Sequence, residues 1–180
     1  RNNRVVSSIA GEFDHKSAFE VLSDPRFHKH FTARQRKRFE KYIPWTRTVR
    51  EGRTTGLIGS EIDLVPFVRK NRGGLVLKPN RGFGGDSVVI GPYVELGEWD
   101  DAIDLALKNP GSMVVQRFVP SLVKDFPVVT ADGRTQLEEF YVVCGFYVTP
   151  DGLGILGRAS KKRVVNVAQK GGLVTCMVLG

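Results

Sequence analysis

The chain has 180 residues, 41% of them hydrophobic and 26% charged, the balance of a globular protein with enough length to bury a core. Its apolar runs are too short for a membrane-spanning helix, and no membrane partner is expected. A net charge of +8 and a pI of about 9.7 fit an anionic partner: nucleic acid, an anionic membrane surface or a small anion such as a nucleotide. The chain opens at Arg1 and stops inside the apolar run 176–180, so it reads as a piece of a longer protein. Cys144 and Cys176 are expected to be buried thiols of a reducing, cytoplasmic compartment. Together with His15, His28 and His30 they lack the ligand spacing of a zinc site.

Residues 4–9 read as a short strand, and a helix follows, capped at Asp14, with Ala18, Phe19 and Leu22 on its apolar face. Ser23-Asp24-Pro25 ends it. Thr32 and Gln35 make a capping-box pattern that starts a second helix running to about Tyr42. Residues 26–53 hold much of the basic excess, including Arg34, Arg36, Lys37, Arg38 and Lys41. Charge concentrated in this way usually covers a solvated helix face. Residues 46–50 fit a strand or a loop, and 61–70 fit a helix interrupted near Pro66. Residues 75–91 predict a hairpin. The clearest helix spans 98–108, where Trp99, Ala102, Ile103, Ala106 and Leu107 make one stripe. A buried strand is expected over 112–119, an irregular stretch over 121–136, and a long hairpin over 139–159 turning at Pro150-Asp151-Gly152. A short element over 164–168 and a second glycine loop at Gly171-Gly172 close the chain. The mixed order predicts an α+β fold with mostly antiparallel sheets and packed helices.

The hairpin 75–91 carries the chemistry. Alternation puts Val76 and Lys78 on one face and Leu75 and Leu77 on the other, so the lysine can face a cleft while the leucines pack a core. Gly82, Gly84 and Gly85 follow. Backbone N–H groups without a Cβ beside them approach phosphate oxygens closely, and Lys78 adds a compact positive charge. A flexible hairpin turn is the plain alternative. The segment is not a Walker A loop, because the lysine precedes the glycines. It is not a dinucleotide fingerprint, because Ser87 stands at the third glycine position.

The order of features along most of the chain resembles the ATP-grasp superfamily, more narrowly its circularly permuted branch typified by glutathionylspermidine synthase and eukaryotic glutathione synthetase. The features are residues 15–24, the stretch Ile43-Pro44-Trp45-Thr46-Arg47, the lysine and glycine hairpin, the strand and hinge 114–120, and the late Arg158, Asn166 and Gly171-Gly172. The resemblance implies two lobes that clamp ATP under a glycine-rich hairpin, with residues 1–74 as the helical, linking part and 75–180 as the nucleotide-binding lobes. It implies that Lys78 and Lys16 hold phosphates, that Gly82, Gly84, Gly85 and Asp86 cover them, and that Gln116 and Phe118 line the adenine pocket. Asn166, Gly171 and Gly172 match a second loop over the site, and Arg158 matches a residue that binds a carboxylate substrate.

The same resemblance implies Mg²⁺, for which Glu139, beside Glu138, is the candidate ligand. The sequence departs from the family here: 80–82 contain no carboxylate, Asp86 follows the glycines, and no Glu-x-Asn pair stands out. The expected activity is ATP-dependent joining of an unidentified carboxylate to an unidentified amine through an acyl phosphate. A non-catalytic nucleotide-binding domain of the same fold is the second expectation. A nucleic-acid module built on 34–41 with Phe39 and Tyr42 is disfavoured, since no binding signature accompanies it.

Overall fold

A computed structural model describes residues 15–82, 84–150, 152–165 and 171–177. The expected strand at 4–9, the Asp14 cap and Asn166 lie outside the described residues. The fold is α+β, and its sheets are antiparallel. Contacts divide the chain into two units, one of residues 1–82 and 87–119, the other of 83–86 and 120–180.

The first unit begins with α1 (Ala18–Ser23), a 3-10 turn (Pro25–His30) and α2 (Ala33–Tyr42). Asp24 ends α1 and caps the 3-10 turn, accepting from Arg26 N at 2.9 Å. The capping box of α2 forms as its sequence predicts: Thr32 Oγ1 accepts from Gln35 N, and Gln35 Oε1 accepts from Thr32 N. The basic side chains Arg34, Lys37, Arg38 and Lys41 on this helix are exposed. Phe39 packs edge-on against Phe31 at 5.0 Å between ring centres, whereas Tyr42 is exposed and carries Lys41 over its ring.

Strands β1 (Thr46–Thr48), β2 (Arg53–Thr55) and β3 (Glu61–Asp63) follow, then α3 (Leu64–Lys70). The ambiguous segment 46–50 is therefore strand, and 61–70 divides into strand and helix. Pro66 does not break that helix because it sits in the first turn, where a missing N–H costs nothing. Strands β4 (Leu75–Pro79) and β5 (Val89–Ile90) form the expected hairpin, α4 spans Leu96–Lys108, and β6 spans Met113–Arg117. The sheet order is β1-β6-β4-β5. Leu75, Leu77 and Val115 on one face of it pack with Val49, Leu64, Val68, Trp99, Ile103 and Ala106. The α4 stripe thus meets the leucine face of β4, and Trp99 Nε1 donates to Val68 O at 3.1 Å.

The second unit is a sheet of order β10-β9-β8-β7, made from β7 (Leu122–Val129), β8 (Thr135–Thr149), β9 (Gly152–Ser160) and β10 (Gly172–Val174). Residues 121–136 are mostly strand and turn, not the irregular stretch expected. β7 carries Pro127, which an edge strand tolerates because one side of it needs no partner. Gly172 opens β10 opposite Ala159. The cysteines also differ from expectation. Cys144 is exposed and Cys176 half-buried, because the β8–β9 hairpin leaves much of its surface open, including Phe146, Tyr147, Val148 and Leu153.

Candidate functional site

Lys78 lies on β4 opposite Val114 of β6. Its Nζ donates to Gln116 Oε1 at 2.7 Å. Gln116 is 7% exposed, and its Nε2 donates to Thr46 Oγ1 at 2.8 Å, which in turn donates to Pro44 O at 2.9 Å. Gln116 thus links Lys78 of β4 to Thr46 of β1. Among the described residues no carboxylate pairs with Lys78. Burial, then repulsion from Lys16, lowers the Lys78 pKa below the ordinary lysine value.

Lys16 is brought near by Asn80, the residue that follows β4. Asn80 O accepts from Lys16 N at 2.9 Å, Asn80 Oδ1 accepts from Ser17 N at 2.8 Å, and Asn80 Nδ2 donates to Gly111 O at 2.9 Å. Asn80 N donates to Ser112 O at 2.7 Å. All of its polar groups are used, which accounts for its burial to 8% exposure. The Lys16 Nζ donates to Gly82 O at 3.0 Å. Two cations thus share the end of β4 where the glycine stretch begins.

The backbone beyond Lys78 runs through the left-handed region, with φ of +146° at Gly82, +81° at Gly84, +78° at Gly85 and +56° at Ser87. Successive positions of this kind suit glycine; Ser87 adopts it without being one. Asp86 is exposed. On the hinge side, Phe118 N donates to Gly74 O at 2.8 Å, and the Phe118 ring packs edge-on against Tyr93 at 5.8 Å.

Two cavities are lined by residues of the first unit, and Lys78 lines neither. One of about 520 Å³ lies among Tyr42, Trp45, Arg47, Leu57, Arg117 and Val119. Another of about 560 Å³ lies among His15, Asn80, Arg81, Lys108, Pro110 and Ser112.

The second unit carries the remaining candidates. Arg158 sits within β9, opposite Val143 and Leu173, and its Nε is buried without a hydrogen-bond partner among the described residues. It lies in the body of the strand, not at the strand end. Glu139 is exposed and faces Asp125 across β7 and β8. Glu138 pairs with Lys161 instead. Among the described residues no group of three or more His, Cys, Asp or Glu side chains converges, so Glu139 lacks the companions that a divalent cation needs. Gly171 is half-buried in irregular backbone.

Sequence reasoning missed Thr46 and Asn80. Both are ordinary polar residues next to a proline-containing segment, and only their hydrogen-bond partners, far away in sequence, give them a part in holding the lysines. No protein-family model matches the sequence, and no curated protein matches it.

Proposed function

We propose that the end of β4 binds the phosphate chain of a nucleotide, and that the chain is the ATP-binding part of an ATP-grasp ligase joining a carboxylate to an amine. The observation that carries this reading is the state of Lys78: a half-buried ammonium group held by a neutral amide, near a second lysine, with no carboxylate paired to it among the described residues. Uncompensated charge in such a place is costly, and an anion that supplies the missing negative charge is bound for the same reason. The donor set suits phosphate oxygens. Lys78 and Lys16 provide N–H groups and charge, and the glycine-rich backbone after them leaves amide groups unobstructed.

In this reading ATP phosphorylates the carboxylate, the amine attacks the acyl phosphate, and an amide leaves with ADP and phosphate. Lys78 and Lys16 stabilise charge on the phosphoryl group in transfer. Gln116 keeps Lys78 in position. Phe118 lines the base pocket. Mg²⁺ would neutralise phosphate charge, but Glu139 with Asp125 does not complete a ligand set, and no step here runs through the metal. A nucleotide-binding domain without ligase activity of its own fits the same observation.

Calorimetric titration of the chain with ATP tests the reading. Lys78→Ala is expected to weaken binding by about 1.5–3 kcal/mol, the range of a charge-assisted hydrogen bond, and ATP is expected to slow hydrogen exchange at Gly82, Gly84 and Gly85. Equal affinity in both proteins sinks the proposal. ADP release that depends on a carboxylate and an amine separates the ligase from the binding domain.

A further inference from the structure

Both cysteines of the chain lie in the second unit. Cys144 of β8 is opposite Gly157 of β9, and Gly157 is opposite Val174 of β10. Directly paired residues of antiparallel strands project to the same face, so these three positions form one row across the sheet. Gly157 leaves the middle of the row without a side chain, and Cys176 fills the space. A Cβ placed on Gly157 would lie 2.7 Å from Cys176 Sγ and 2.8 Å from Val174 Cγ2. The Cys176 thiol therefore rests over Gly157, the residue that Cys144 faces across β8 and β9. Cys144 is open to solvent and Cys176 is half-buried. No third ligating side chain joins them among the described residues.

We propose that Cys144 and Cys176 are a redox-active pair that converts between dithiol and intramolecular disulfide by exchange with a low-molecular-weight disulfide. The Cys144 thiolate, the accessible one, attacks a sulfur of the small disulfide, breaks its S–S bond and releases one small thiolate. Cys176 then gives its proton to solvent and attacks the Cys144 sulfur of the mixed disulfide. The protein S–S bond forms and a second small thiolate leaves. Two protein thiols are oxidised and one small disulfide is reduced to two thiols, with no other oxidant. Desolvation, then the neighbouring Cys144, pushes the Cys176 thiol above its ordinary pKa, so ring closure quickens as pH rises. The bond ties the segment after β10 to the middle of β8 across β9.

The full chain is equilibrated with cystamine and cysteamine at graded ratios, then alkylated and weighed intact. The expected product has lost two hydrogens and resists alkylation at both cysteines. The effective concentration of one thiol towards the other is expected to be at least about tenfold higher in the folded chain than in urea. Cys176→Ser is expected to stop at a cysteamine adduct on Cys144. Gly157→Ala keeps both thiols but fills the space over the glycine, and should remove most of the folded-state advantage. If circular dichroism shows that variant unfolded, Cys176→Ser and the comparison in urea decide. A persistent Cys144 adduct in the unaltered chain, a disulfide-linked dimer, or an effective concentration equal to that in urea overturns the proposal.

Discussion

Two clusters of buried positive charge occur in the first unit, and they are treated in opposite ways. Around Asp24 and Glu20 every cation has a carboxylate. Arg47 is fully buried, with its Nε 3.4 Å from Asp24 Oδ2 and 2.8 Å from Thr54 Oγ1. Its Nη1 donates to Thr46 O at 2.7 Å. The Arg26 guanidinium shares the same Asp24 Oδ2 at 2.7 Å. Glu20 takes Arg50 at 2.6 Å and Thr48 N at 2.8 Å. Around Lys78 the partner among the described residues is an amide oxygen, and Lys16 adds repulsion. Thr46 belongs to both networks, so the two clusters are neighbours built on the same strand. The contrast is instructive: matched charges hold α1 and the 3-10 turn to β1, while among the described residues Lys78 is held by a neutral amide.

Arg47→Met should break the matched cluster most. It leaves Asp24 in the interior with one cation fewer, a change worth about 3–5 kcal/mol when a buried pair loses a partner. Urea denaturation measures it, and a loss under about 1 kcal/mol would show that the cluster is not what fastens these elements.

Acid should act on the same cluster. Burial by itself would raise the pKa of Glu20 and of Asp24, but hydrogen bonds from Arg50 and Thr48 to the first and from Arg26 to the second outweigh it, and both values fall below the ordinary carboxylate range. The unfolded chain therefore holds more protons than the folded one on the acid side. The stabilisation is complete above the unfolded values near about pH 4 and is lost as pH falls through the lowered folded values. Glu20→Gln should cost about 1.5–3 kcal/mol at neutral pH and flatten the acid limb. An unchanged acid limb would assign it to other carboxylates.

Lys78→Met sharpens the other side of the comparison. It removes one hydrogen bond but also a poorly compensated charge, so stability should change by no more than about 1 kcal/mol, while ATP affinity falls as it does for Lys78→Ala. The sign with pH differs from the acid case. Because the folded pKa is lowered, the unfolded chain binds more protons between that value and the ordinary lysine value. The cost of the charged lysine therefore fades as pH rises through that window, and the unaltered chain gains on Lys78→Met there. A loss of several kcal/mol in Lys78→Met would make the lysine structural, like Arg47.

The smallest effect is expected on α2. Arg36 has a structural part, donating to His28 O and Phe31 O at 3.3 Å, but Arg34 and Lys37 are exposed. Reversing those two to glutamate should change stability by less than about 0.5 kcal/mol and leave ATP affinity within a few-fold. Mixed-sequence RNA should bind no more tightly than the roughly micromolar background of a basic protein. Tight RNA binding lost in that variant would turn the basic helix into the functional surface.

The local signals were legible because they depend on near neighbours. The capping box at Thr32 and Gln35, the stripe from Trp99 to Ala106, and the leucine and lysine faces of 75–78 follow from spacing of a few residues and appear as read. The strand at 122–129 did not show itself, because its backbone is satisfied by β8 and its side chains are largely exposed, which leaves little hydrophobic pattern. Cys144 was misjudged for a related reason: a strand in sequence does not say whether its face is covered.

The sequence by itself determined that the chain is α+β, that a lysine stands before a run of glycines, and that a helix with one apolar face follows. Those are properties of period and residue type. Only the tertiary structure decided that Asn80 sets Lys16 beside Lys78, that Gln116 and Thr46 fix the lysine, that Arg47 and not Lys78 is neutralised, and that Cys176 meets Cys144 over Gly157. Each of these joins residues remote in the chain, where hydrogen-bond geometry and excluded volume act and local spacing carries no information.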